Sequence, residues 1–383
     1  MFETLRFAAI PPEDEALRPR VRAFLAEHMA EIPLQARART WMGGDADFSR
    51  KMGEAGLLGL TLPERYGGGG RGPFARFVVV EELLSAGAPV AFHWIADRQS
   101  ALMILNFGSE DQRQRYLPGI CRGKLFFCIG MSEPGAGSDL ASVRTRAARA
   151  PGGGWRLNGQ KLWTSGAHVG DYAITLARTS GTPEDRHKGL SQLIVPLKAK
   201  GVTVRPIADV NGHFDFNEVF FDDVDLGADA LIGAEGDGWA QVNAELAFER
   251  SGPERIYSSL VLFDAWLAHV RDHGADQARE RLVGSTLAQL AALRQLSIAM
   301  TAQLAEGVSP ITEAALIKDL GTSFEQALPA SIADDIAAHP DEPVAPELTE
   351  TVIQMLAIAP AFSLRGGTRE ILRGMIARGL GLR

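Results

Sequence analysis

Met131-Ser-Glu-Pro-Gly-Ala-Gly-Ser-Asp139 stands where the texture of the chain changes. On its C-terminal side, β-rich runs at 172–176, 192–195, 202–207 and 218–221 are separated by clusters of Gly, Asp, Asn and Pro. Short apolar runs punctuated this way read as strands and turns, so residues 126–235 are expected to form a compact antiparallel β domain. On its N-terminal side, Leu17, Val21, Phe24, Leu25 and Met29 recur at helical spacing within 13–30, and the period returns at 74–86 and 98–107. With a loop at Gly67–Gly70, residues 1–125 read as a helical domain. Past Gly236 helical spacing covers 238–270, 276–306 and 309–338 and resumes at 349, after an acidic, proline-bearing connector at 339–347. Residues 236–383 are therefore expected to be a helix bundle, and the fold class is α+β.

Composition narrows the function. Thirty-nine basic against 47 acidic side chains leave a charge of −8, the wrong sign for a protein that neutralises phosphate backbones, so nucleic acid is not an expected partner. The apolar runs, such as 77–80 and 258–262, fall far short of the roughly 18 residues of a membrane span. The first twenty residues mix acids with prolines and lack the pattern of a secretory signal, which reads as a cytoplasmic protein. Cys121 and Cys128 are the only cysteines, too few for a disulfide framework and without zinc-binding spacing. His93, His168, His187 and His213 show no ligand spacing either, so no metal site is expected.

In the opening motif, Pro134 and two glycines force an irregular path on which backbone N–H groups can converge, and Ser132 and Ser138 add hydroxyl donors. Such a loop suits an anion or the polar edge of a heteroaromatic ring; it also suits a plain strand-ending turn. Farther on, Leu157-Asn-Gly-Gln-Lys-Leu-Trp-Thr-Ser-Gly166 reads as a turn feeding a strand, with Trp163 and Ser165 on one side by alternation. An indole beside a hydroxyl could face a flat ring, or Trp163 could be packed in the core with the serine at its rim.

Five motifs in order carry a resemblance: 132–139, 157–166, the Phe216-Asn-Glu-Val-Phe-Phe-Asp-Asp-Val-Asp-Leu226 run, Gly233–Arg250, and Gly366-Gly-Thr-Arg-Glu-Ile-Leu372 with the residues after it. Together they resemble the acyl-CoA dehydrogenase family over nearly the whole chain. The resemblance implies FAD between a helical, a β and a four-helix domain, and oxidation of an acyl-CoA thioester across Cα and Cβ. It assigns Met131 and Ser132 to the flavin ring edge, Gly137 and Ser138 to the diphosphate, and Ser138 also to the CoA arm. Trp163 would lie on the ring, Thr164 and Ser165 at its polar edge, and Thr368 and Glu370 on the cofactor side.

The reaction needs a carboxylate that takes the α proton, shielded from water so that its pKa rises toward neutrality. Many relatives place it just before the Gly-Thr of the last motif, but this chain has Gly366 there. A second lineage carries it on the first helix of the C-terminal domain, in a Leu-x-x-Glu-Arg context matched by Leu246-Ala-Phe-Glu249-Arg250. Glu249 continues the stripe of Trp239, Val242 and Leu246, which places it on an apolar helix face. It is the expected base, with Arg250 positioning the thioester or CoA.

Two other family features are altered. The Arg-x-x-Phe that lends contacts to a neighbour's FAD adenine half has only Arg279-Glu-Arg-Leu282 or Arg281-Leu-Val-Gly284, and the later Gln-x-x-Gly-Gly-x-Gly loop has at most Gln354–Pro360. The resemblance then suggests an α2β2 assembly with a second family member, against a homo-oligomer with altered FAD contacts. Electrons would pass to an electron-transferring flavoprotein. Two other readings are a non-catalytic partner subunit and an oxygen-using flavoprotein of the same fold. Fatty and steroid side chains both fit as substrates.

Overall fold

A computed structural model of the chain describes residues 5–249, 252–308 and 310–382, with the backbone alone at Thr40 and 245–249. The chain divides into two compact units, one of residues 44–70 and 91–246, the other of residues 1–43, 71–90 and 247–383.

The first unit is built on one sheet. Its strands among the described residues are β1 (Phe127–Gly130), β2 (Arg146–Arg149), β3 (Trp155–Lys161), β4 (Tyr172–Arg178), β5 (Leu190–Pro196), β6 (Val202–Ile207), β7 (Phe216–Leu226) and β8 (Leu231–Ile232). They lie in the order β6-β7-β3-β2-β4-β5-β8, with β1 also on β4. The sheet is largely antiparallel, as the short strands and turns predict, but β1 runs parallel to β4 and β2 meets β4 in a parallel bridge. β1 pairs with residues 172–175 and β2 reaches only Arg178, so one edge of β4 is shared by two strands. The chain between them, residues 131–145, leaves the sheet at that point and carries the opening motif.

Alternation explains both faces. Trp155, Leu157, Ala173, Val195 and Phe221 fill one apolar cluster, while Ile174 and Ile194 turn to the other face. There they meet Leu62, Ile104, Leu117 and Ile120 from the flanking helical segments. The strand expected at 218–221 is longer, and β7 continues through Asp222-Asp223 to Leu226. A register shift opposite Leu157 and Gly159 absorbs the extra residues. Asp223 takes a left-handed φ of 47°, and its N–H donates to Asn158 Oδ1.

The second unit is helical. Its long members are Arg18–His28, Pro73–Ala86, Leu260–His273, Gln277–Ala305, Ile311–Ala338, Pro346–Ile358 and Arg369–Gly379. The predicted helix over 13–30 is broken after Glu15, and that over 238–270 is two helices divided by a turn at Pro253–Arg255. In the first unit, the helix expected over 98–107 starts upstream, with a π-turn at Ala96–Ser100. Buried Glu81 ties the second unit together, accepting from Arg18, Arg294 and Tyr257. No helix among the described residues is long and apolar enough to cross a membrane. Cys121 and Cys128 are buried free thiols, and burial pushes both up to about 12.

Candidate active site

The loop 131–145 is shaped by an ion pair that the motif reading left without a role. Lys161, at the end of β3, stands on the same face as Trp155 and Leu157 and is fully buried. Its Nζ donates to Met131 O at 2.9 Å and to Glu133 Oε1 at 2.8 Å. The Glu133 carboxylate also accepts from the backbone N–H of Thr145, at 2.9 Å, and of Arg144, at 2.7 Å. Glu133 therefore clamps both ends of the excursion, and Lys161 fixes the clamp to the sheet. Burial pushes Glu133 up, but the Lys161 charge and these hydrogen bonds outweigh it and hold the carboxyl below its ordinary value. Full burial brings Lys161 down to about 8 against the pull of Glu133. A lysine at an inward position of an otherwise apolar alternation was the signal in the sequence that could have revealed the pair.

Within the loop, Glu133 and Ala136 exchange backbone hydrogen bonds around Pro134-Gly135. Neither Gly135 nor Gly137 has a positive φ, so the irregular path does not draw on the left-handed freedom of glycine. A Cβ added at either would meet no protein atom within 4 Å. The surface beside them is thus left clear. Ser138 is exposed there, Ser132 is half-buried, and Ser132 O accepts from Leu162 N–H at 2.9 Å.

The second motif departs from its expected form. β3 ends at Lys161, so Trp163 and Ser165 do not share a strand face by alternation. Trp163 sits at φ 62°, a left-handed conformation that costs a bulky side chain about 1–2 kcal/mol. Its neighbours hold it there. Leu162 N–H bonds Ser132 O; Thr164 N–H donates to Asn217 O at 3.0 Å, and Thr164 O accepts from Asn217 Nδ2 at 2.9 Å. The indole is turned outward, 56% exposed, with one edge on Phe216. Beside it Thr164 is 1% exposed, and its Oγ1 has no hydrogen-bond partner. Asn217, whose role sequence reasoning missed, thus spans the base of this turn.

Met131, Ser132, Trp163, Thr164 and Ser165 are brought to one region of the sheet by the Ser132–Leu162 bond. They fit a flat ring with a polar edge, since the indole offers a platform and the unpartnered Thr164 hydroxyl a hydrogen bond. A cleft of about 620 Å³ opens along the loop, lined by Glu133, Gly135, Arg144, Gln160 and Arg186. The helix Gly238–Glu249 packs Trp239 and Val242 into the same apolar cluster as Met131 and Leu140. Its backbone extends to Glu249, but the Glu249 side chain and all of Arg250 lie outside the described residues.

Thr368 and Glu370 belong to the helical unit. Thr368 caps the helix Arg369–Gly379, and its hydroxyl also holds the exposed Glu370 carboxyl below its ordinary value, after that residue's own N–H. Gly366 and Gly367 have φ values of 67° and 99°, a backbone conformation that favours glycine there. Arg365 before them stacks between Trp41 and Phe362 and pairs with buried Glu325. The histidines singled out in the sequence serve packing and hydrogen bonding, as with buried His93 on Ser49.

A sheet unit bearing this platform, joined to a helical unit, matches two family models. That for the acyl-CoA dehydrogenase N-terminal domain covers residues 11–124, and that for the acyl-CoA dehydrogenase middle domain covers residues 128–224. The chain belongs to the acyl-CoA dehydrogenase family, flavoprotein oxidoreductases that dehydrogenate acyl-CoA thioesters. Acyl-CoA dehydrogenase IpdE1 of Mycobacterium tuberculosis is 35% identical, with 96% of this chain and 97% of that protein covered. The solved Tcur3481-Tcur3483 steroid ACAD superposes with a TM-score of 0.84 at 29% identity, covering 97% of this chain and 98% of that one. The ChsE4-ChsE5 complex from Mycobacterium tuberculosis gives 0.81 at 28% identity, covering 99% of each chain. The order of helical N-terminal region, antiparallel-rich sheet and helical C-terminal region is that of the family.

Proposed function

We propose that the chain binds FAD against Trp163 and catalyses α,β-dehydrogenation of a bulky acyl-CoA thioester, with Glu249 as the base. The observation that carries this reading is the held-out indole of Trp163 beside the partnerless Thr164 hydroxyl, a strained arrangement with no use inside the fold. Bound flavin supplies the hydride acceptor for the β hydrogen. Met131, Ser132, Thr164 and Ser165 hold its ring edge, and Gly137 and Ser138 its diphosphate, while Ser138 and Arg250 orient the CoA arm and thioester. A Glu249 carboxylate oxygen takes the α proton; the C–H electron pair becomes the new Cα–Cβ double bond as the β hydrogen leaves with its own pair. Glu249 follows Trp239 by ten residues on the helix whose Trp239 and Val242 join the Met131 cluster, which supports its placement beside the flavin. Thr368 and Glu370 contribute from the cofactor side.

Two observations favour a hetero-oligomer over a homo-oligomer. Arg279, one of the two remnants of the adenine-side motif, is 1% exposed and spent on Asp335 and Glu342 of its own chain, while the other, Arg281, is exposed but lacks the motif's phenylalanine three residues on. Gln354 lies in a helix, Pro346–Ile358, in place of a glycine loop, and donates to Gln35 O. Likeness to the steroid ACAD supports a polycyclic acyl group. The test is Glu249→Gln: dye-linked turnover of a steroid acyl-CoA should fall by about 10²–10⁴-fold, the usual share of a general base, while the flavin spectrum is retained. Unchanged turnover removes Glu249 from the role. Running the assay anaerobically with electron-transferring flavoprotein, then with O2, identifies the acceptor.

A further inference from the structure

At the end of the helix Leu260–His273, one helical turn separates His269 from His273, and Glu342 approaches from the connector after Ile311–Ala338. One ligand atom from each residue lies within 4.8 Å of the other two. The imidazoles are tilted at 35° with centroids 4.3 Å apart. His273 Nδ1 is 2.9 Å from His269 O, so Nδ1 carries the proton and the Nε2 lone pair is left available. The His269 side chain is 6% exposed, and its Nε2 is buried without a hydrogen-bond partner. That atom is 3.4 Å from Glu342 Oε2, longer than an ordinary N–H···O hydrogen bond. Two zinc–ligand bonds of about 2.1 Å at a tetrahedral angle put their ligand atoms about 3.4 Å apart. The separation that fails as a hydrogen bond is the one a bridging metal ion requires.

Charge fits as well. Arg279 donates to both Glu342 oxygens, at 3.0 and 2.6 Å, and its Nε donates to Asp335 at 3.1 Å. The Asp335 and Glu342 carboxylates face the Arg279 guanidinium, with His339 also on Asp335, and each Glu342 oxygen keeps a second lone pair for a cation. The arginine orients the carboxylate as a hydrogen-bonding partner orients a metal ligand. Imidazole and carboxylate donors in a set of three, with His273 open to solvent, suit a borderline-soft divalent ion with water in the fourth position.

We propose that His269, His273 and Glu342 form a zinc site that ties the helix Leu260–His273 to the connector at 339–345. The test uses the full, untagged chain, stripped with a chelator and titrated with ZnCl2, CoCl2 and CaCl2 by calorimetry and absorbance. The expected result is one zinc per chain, a cobalt spectrum of tetrahedral intensity that zinc abolishes, and no calcium binding. His273→Ala, at an exposed position that leaves folding intact, should lose the zinc and the zinc-dependent rise in thermal midpoint. His213→Ala, at a histidine elsewhere in the chain, should keep both. Absence of binding to the unaltered chain, or zinc uptake unchanged in His273→Ala, overturns the site.

Discussion

Trp163 concentrates the molecule's conflict between folding and use in one residue. Its left-handed backbone costs about 1–2 kcal/mol, and an indole 56% exposed recovers little of that by burial. Asn tolerates this conformation, so Trp163→Asn should stabilise the flavin-free chain by up to about 1 kcal/mol in urea unfolding. The same variant should lose affinity for FAD, measured by fluorescence titration. A destabilised variant with unaltered FAD affinity contradicts the role. Gly366 makes the complementary case. Restoring a glutamate at the commoner base position would put a Cβ on a backbone at φ 67°, again at about 1–2 kcal/mol. Gly366→Glu in the Glu249→Gln background should therefore lower stability and recover no dye-linked turnover.

At the scale of elements, the loop 131–145 depends on the clamp beneath it more than on its own glycines. Glu133→Gln leaves Lys161 buried without a counter-charge and should cost about 3 kcal/mol near neutral pH. The folded-state pKa of Glu133 lies below the unfolded value near 4.5. Its stabilisation is therefore complete above that pH and disappears as the pH falls through the folded value. The urea midpoints of wild type and variant should differ at pH 7 and converge below about pH 4.5; a constant gap removes the linkage. How legible such elements are depends on what sets them. The helices Pro73–Ala86 and Gln277–Ala305 follow from apolar period alone, and β4 to β7 from runs between turn residues. β1 and β2 escape because four residues carry too little pattern, and β7 is cut short in the reading because Asp222-Asp223 mimics a turn that the sheet absorbs as a bulge. The site motifs are legible in content but not in form: Trp163 turns outward by tertiary bonds to Ser132 and Asn217 that no local pattern encodes.

For the whole molecule, the state of Arg279, the buried one of the two candidate donor arginines, limits what the chain can offer a neighbour. A guanidinium with bonds to Asp335, Glu342 and Gly274 O cannot reach an adenine half without giving up its ion pairs with two carboxylates, one of them buried. Breaking such a network costs several kcal/mol, more than a rim contact to FAD returns. The second donor loop is replaced by helix around Gln354, whose amide is held by Gln35. Arg279 and Gln354 are thus poor donors to another copy, whereas in the proposed hetero-oligomer a second family member with both donor motifs would complete the adenine side. Expressed alone, the chain should carry clearly less than one FAD per protomer, read from the ratio of flavin to protein absorbance. Co-expressed with such a partner, it should elute as an α2β2 particle by light scattering, with one FAD for each copy of this chain. Full occupancy in a homo-oligomer would show that other contacts hold the adenine. Arg279→Ala then separates the cases: in a hetero-oligomer it should lower stability without changing the flavin ratio, and in a homo-oligomer relying on this helix it should lower both.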